Sequence, residues 1–231
     1  DTSDDSLQQA LRELLSWCAV NGMHLNTNKN KEMILTFSKR LRTNNYEPLM
    51  ADSVSIERVT DFKILGVIIS ADLSWSKHVR YIVSKASKRF FAICQLVRCG
   101  FASDDILKVY CRPTLIRPVL TYASQVWHCG LTRSLSDEIE HVQMRCLRII
   151  YPQLSYSDAL SVSGLQLLSV RREASVIKLF NEIKNPNHVL HYLLPVKPIK
   201  LGSKTRNTYP YELKLCKTNR RSHSLISYSI G

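Results

Sequence analysis

At 231 residues, 45% of them hydrophobic and 22% charged, the chain can bury a real core, which excludes a disordered tail and suits one large domain or two small ones. Lys and Arg outnumber Asp and Glu by 32 to 19, a formal charge of +13 that favours polyanionic partners. No run of about 18 apolar residues occurs and the first residues lack the basic-then-apolar order of a secretory signal, so neither a membrane span nor a leader is expected.

The charge is uneven. Residues 1–20 carry Asp1, Asp4, Asp5 and Glu13 against Arg12 alone, whereas the rear, from Ile183 to Gly231, opposes its many bases with the single Glu212. The missing initiator Met suggests a piece of a longer protein. Seven widely spaced cysteines, an odd number in a chain too large to depend on disulfides, fit reduced core thiols in nucleus or cytoplasm.

In chain order, a helix is expected from about Asp5 to Asn21. Leu7, Ala10, Leu11, Leu14 and Cys18 share a face, Asp4-Asp5-Ser6 can cap the start, and Gly22 suits a left-handed stop. Three strand candidates follow, Glu32–Phe37, Val54–Val59 and Phe62–Ile69, with a basic loop from Ser38 to Pro48 between the first two. The third is apolar enough to lie buried.

Next comes a long helix whose apolar stripe reads Val79, Ile82, Val83, Ala86, Phe90, Ile93 and Val97. Between Leu73 and Ser103 stand Lys77, Arg80, Lys85, Lys88, Arg89 and Arg98, with no Asp or Glu. Solvated faces usually mix both signs, because opposite charges one turn apart add stability and like charges repel. An acid-free face instead suits a polyanion.

Ser103 can cap a helix from Asp104 to Cys111, Pro113 and Pro118 break or kink the chain after it, and helical phase resumes from Thr114 to Trp127. Leu135, Ile139, Val142, Cys146 and Ile149 form another stripe, with Arg145 and Arg148 off it. Val170, Ala174, Ile177 and Phe180 form a further one, opened by Arg171 and Arg172. Beyond Pro195 periodicity fades into a basic tail. The fold class is therefore α+β, mostly α.

Little chemistry is visible in this order of residues. Phe101-Ala102-Ser103-Asp104-Asp105 mimics the aromatic-x-Asp-Asp pattern with which polymerases hold metal ions, but a helical stripe begins at once, and acids in a first helical turn complement the dipole. No Cys-x-x-Cys or His-x₃-His spacing occurs, and His128-Cys129 cannot easily aim two ligands at one ion, so no metal site is expected.

One collinear set of residues carries a resemblance. Trp17-Cys18, Leu25-Asn26-x-x-Lys29-x-Lys31-x-Met33, Phe62-Lys63-x-Leu65-Gly66-Val67, Leu73-Ser74-Trp75-x-x-His78-Val79 and Lys85-Ala86-x-Lys88-Arg89 succeed one another at natural spacing. Ile116-Arg117-Pro118-Val119-Leu120-x-Tyr122-Ala123, Val126-Trp127, Ile139-Glu140-x-Val142-Gln143-x-Arg145, Leu147-Arg148-Ile149-Ile150, Gly164-Leu165 and Arg171-Arg172-Glu173 continue the series. Together they resemble the reverse transcriptase of non-LTR retrotransposons, downstream of its catalytic Asp-Asp motif.

The resemblance implies a small antiparallel remnant of a polymerase palm at residues 1–73, with a primer-grip hairpin at Leu65 and Gly66. Thumb-like helices would span 74–130, a C-terminal helical region 131–194 and a basic, loosely ordered tail 195–231. Lys29 would stand where a cation helps pyrophosphate depart. Lys77, Arg80, Lys85, Lys88, Arg89, Arg145 and Arg148 would lie along template-primer phosphates. Thr121 stands where the family commonly has an acid, and Asn30 where it has Thr or Ser.

The metal-binding carboxylates of the family would lie upstream. The implied chain is thus a fragment of an RNA-directed DNA polymerase that grips an RNA and DNA hybrid without catalytic carboxylates of its own. Mg²⁺ would belong to the intact parent, and the upstream fingers-palm segment would be a partner. A stand-alone nucleic-acid-binding protein and an inert remnant of a mobile element are the competing readings.

Overall fold

The computed structural model describes residues 2–35, 47–52, 54–111 and 115–195. They are mixed α+β and mostly helical, and they divide into two units, one ending at His78 and the other beginning at Val79. The expected basic loop, apart from its last two residues, and the tail beyond Pro195 lie outside the described residues.

The first unit opens with helix α1 (Thr2–Val20). The helix begins before Asp4-Asp5-Ser6, so that cluster lies inside its first turns and not at the cap. Its end follows the expectation: Gly22 has φ 66°, the amide of Gly22 donates to Ala19 O and that of Met23 to Cys18 O, the paired bonds of a left-handed helix stop.

Where three strands were expected, six short ones form three two-stranded sheets among the described residues. Strand β1 (Lys31–Glu32) pairs in parallel with β4 (Glu57–Arg58), and β2 (Met50–Ala51) pairs antiparallel with β3 (Val54–Ser55). The β1–β4 ladder sets Glu32 opposite Arg58, whose guanidinium grips the carboxylate at 3.0 and 3.2 Å. From α1 the Gln8 side chain meets the backbone of Met50 twice, at 2.8 and 2.9 Å, occupying strand-edge groups as a further strand would.

The stretch Phe62–Ile69 is not one buried strand but a hairpin, β5 (Asp61–Ile64) and β6 (Val67–Ser70), in the register Ile64 to Val67. Leu65 and Gly66 make the two-residue turn with φ 47° and 90°, the positive pair that a type I′ turn requires. The tip is open to solvent, Leu65 being 87% exposed.

Helix α2 (Ser76–Arg98) follows, and most of it belongs to the second unit. Val79, Ile82, Ala86 and Ile93 of its expected stripe are buried. Gly100, at φ 75°, ends it with the same paired bonds as Gly22.

Helix α3 (Ser103–Cys111) buries Ile106 and Tyr110. Ser103 is its first helical residue, and its hydroxyl donates to Ile150 O instead of capping. The helix expected from Thr114 shrinks to α4 (Ser124–Trp127) and the 3₁₀ turn His128–Gly130, because Pro118 supplies no amide donor and Ala123, at φ 49°, breaks the helical phase.

Helices α5 (Arg133–Ile150), α6 (Tyr156–Ser163) and α7 (Leu168–Ile183) complete the unit. Thr132 and Ser155 cap α5 and α6 through their hydroxyls, which accept from Leu135 N and Asp158 N. No side chain of its own caps α7; the Glu140 carboxylate of α5 accepts from Leu168 N at 2.9 Å and places its negative charge at that helix start.

The α7 stripe differs from expectation. Leu168, Arg172, Val176, Phe180 and Ile183 are buried, while Val170, Ala174 and Ile177 are exposed, the last two lining an open groove of about 800 Å³. The six cysteines among the described residues are free; Cys129 and Cys146 are core thiols, pushed by burial up to about 11 and about 12, whereas Cys99 is exposed.

Candidate nucleic-acid interface

With its apolar side turned into the core, α2 must present its other side to solvent. Arg80, Lys88 and Arg98 are exposed there, and Lys85 is half-buried with its ammonium 5.9 Å from the Tyr81 ring centroid. The helix contains no acid to answer them.

Two of the candidate cations are engaged elsewhere. Arg89 Nη1 donates to Leu115 O at 2.7 Å, tying α2 to the segment before α4. Lys77, in the first unit, forms an ion pair with Asp61 at the foot of the hairpin. That lysine's hydrogen bond holds the Asp61 carboxyl down to about 2. Lys77 therefore brings a matched charge and not a surplus one.

Helix α5 supplies the neighbouring cations. The Arg145 guanidinium lies 4.7 Å from the centroid of the Phe90 ring on α2, so the two helices meet through a cation–π contact. Arg145 remains exposed, as does Arg148 one turn on, and exposed His141 and Met144 continue that ridge. Arg80, Lys85 and Lys88 thus lie on α2 and Arg145 on α5, two helices of one unit that touch at Phe90.

Lys29 and the Leu65-Gly66 turn belong to the first unit. Lys29 is exposed in a turn where its amide donates to the Asn26 side chain at 3.2 Å. Among the described residues no group of His, Cys, Asp or Glu is arranged to hold a metal ion. Asp104 and Asp105 open α3, and Asp105 pairs with Lys108 at 2.9 Å, so they do not fit the two-metal carboxylate site of a polymerase.

Several residues took roles that periodicity does not show. Gln143 is fully buried and collects Tyr110 OH at 3.0 Å, Tyr156 OH at 3.1 Å, Gln166 O at 3.1 Å and Glu140 at 3.2 Å, binding α3, α5 and α6 into one polar knot. Arg172 is also fully buried: Nη2 donates to Ser136 Oγ at 2.7 Å, Nε to His128 Nδ1 at 3.4 Å, and the guanidinium lies 5.8 Å from the Trp127 ring. Burial lowers Arg172 to about 10, and burial together with that neighbouring charge lowers His128 to about 4.

Phe91 is the other omission. It stands on the outer side of α2 among the cations and is 63% exposed. Its signal was its angle, since it follows Lys88 by one turn, off the apolar stripe. No family model, curated protein or solved structure matches the chain.

Proposed function

We propose that the chain grips nucleic acid through the outer face of α2 and the adjoining arginines of α5, as the carboxy-terminal part of a retrotransposon-type RNA-directed DNA polymerase. The observation that supports this most is the exposure of Arg80, Lys88 and Arg98 along α2, a helix with no acid, together with exposed Arg145 and Arg148 on α5, which meets α2 at Phe90. Such a surface would take the phosphates of a template-primer hybrid without reading sequence. The backbone that carries the cations is fixed, because each of the two helices is anchored by a buried stripe on its opposite side.

The contribution is grip and not chemistry. The resemblance places the metal-binding carboxylates upstream, and Lys29 would act only beside an assembled polymerase site. The Leu65-Gly66 tip would approach a primer end.

Binding to an RNA/DNA hybrid should weaken steeply with salt, with a log–log slope of about −4 to −5 if about five phosphates are neutralised. Lys88→Ala should reduce the magnitude of that slope by about 1 and weaken binding alike for unrelated sequences. Titration by fluorescence anisotropy at several salt concentrations measures both. Affinity that hardly moves with salt sinks the proposal, and an inert remnant would retain no hybrid at all.

A further inference from the structure

We propose that Phe91 stacks on an unpaired base, so that the α2 face selects a single strand over a blunt duplex. The inference rests on the reading of α2 as a phosphate-binding face and adds to it the form of nucleic acid taken.

Phe90 and Phe91 are consecutive in sequence but differ in surroundings. At about 100° per residue they point to different sides of α2. Phe90 is half-buried and covered by the Arg145 guanidinium at 4.7 Å, whereas Phe91 is 63% exposed. Single exposed apolar residues are ordinary on protein surfaces. What distinguishes Phe91 is its setting: Lys88 lies one turn before it, Gln95 one turn after and Arg98 two turns after, along a helix with no acid.

An aromatic ring flanked by cations suits a nucleobase whose phosphates are held on either side, and the pairing tolerates any sequence because every base has a π face. The distance from Lys88 to Arg98 along the helix is about 15 Å, or on the order of four nucleotides of a stacked strand. A duplex offers phosphates to Lys88 and Arg98 but keeps its base faces stacked inside, away from the ring. A docked polypeptide would satisfy the apolar ring equally well, yet it would have to bring acids to match the cations, and any aliphatic side chain at position 91 would serve it.

The test uses the full chain with two labelled probes of equal length, an oligothymidylate and a blunt RNA/DNA hybrid, each titrated at the same series of salt concentrations. Phe91→Ala and Phe91→Leu should each weaken oligothymidylate binding roughly 5- to 100-fold. Both should leave the hybrid within about twofold and its salt slope unchanged, because no charge is removed. Phe91→Trp should bind the single strand at least as well as the parent chain.

Because the side chain is exposed, the variants should keep the helical circular dichroism of the parent. Equal losses on both probes, no loss on either, or rescue by leucine overturns the inference; rescue by leucine means that the contact needs apolar bulk and not a ring that stacks. If the unaltered chain binds hybrid with steep salt dependence while Phe91→Ala changes nothing, only the stacking fails. If the unaltered chain retains neither probe, the phosphate-binding reading fails with it.

Discussion

The two units bury their apolar residues to different extents. Beyond Val79 the helices bury Val79, Ile82, Trp127, Leu147, Phe180 and Ile183 among many other apolar residues. In the first unit only Ala51, Ile56 and Val67 of the described hydrophobic residues are buried, while Leu7, Leu14, Trp17 and Val20 of α1 face solvent. Two-stranded sheets are marginal by themselves, and a helix gains most of its stability from packing an apolar face. The difference teaches that the candidate interface stands on the sturdier unit, where α2 and α5 are fixed by their own cores.

The comparison breaks most visibly at Trp127. Its ring is fully buried, its Nε1 donates to Tyr122 O at 3.0 Å, and Arg172 lies against it. Trp127→Ala should cost the second unit about 3–5 kcal/mol. Hydrogen exchange followed by mass spectrometry should show faster exchange throughout α5 and α7, with β5 and β6 of the first unit unchanged. Acceleration shared equally by both units would mean that they unfold together and that the contrast in burial has no energetic counterpart.

The long periodic segments were legible in the sequence. For α1, α2 and the outward arginines of α5, an apolar residue returns every three or four positions over many turns, and nothing competes with that signal. The glycine stop at Gly22 adds a steric requirement that few other residues meet.

Legibility failed where a tertiary partner overrides the local rule. Arg172 occupies the centre of the buried row of α7, so a reader who assigns charge to the surface rotates the helix and buries Val170 and Ile177 in its place. Ser136, His128 and Trp127, which accommodate the guanidinium, are distant in sequence. The hairpin at Leu65 was not legible from its turn residues, because a leucine sits where Asn or Asp would have announced the turn; only the resemblance pointed to a hairpin there. Phe91 required only an angle, which sets it off the stripe that holds Phe90.

Acid should sharpen the comparison at a second level, because each unit holds one histidine neutral. His78 is buried and accepts from Ile68 N at 3.3 Å; His128 accepts from Arg172. Burial lowers both to about 4 from an ordinary 6.5, with the Arg172 charge adding to the effect at His128. Between those values the unfolded chain binds a proton that the folded one does not, so the stability is fully present above about 6.5 and is lost as pH falls towards about 4. The loss is at most about 3 kcal/mol for each histidine, and smaller to the extent that solvent screens the ring. His78→Gln should flatten the pH dependence of exchange in β5 and β6 alone, and His128→Gln that of α5 and α7 alone.

The smallest expected effect strengthens the weaker unit. Leu65 holds φ 47° at a turn position that favours Asn or Gly, and its side chain is open to solvent, so a replacement loses no buried contact. Leu65→Asn should stabilise the hairpin by about 0.5–1 kcal/mol, seen as slower exchange of the β5 and β6 amides with α5 unaffected. The same variant probes the proposed primer-grip role. Were the exposed leucine retained to approach a primer end, the more stable variant should bind a recessed hybrid end less well while binding a continuous hybrid as before. Gained stability with no loss at the recessed end would leave that leucine as an unfavourable turn residue and nothing more.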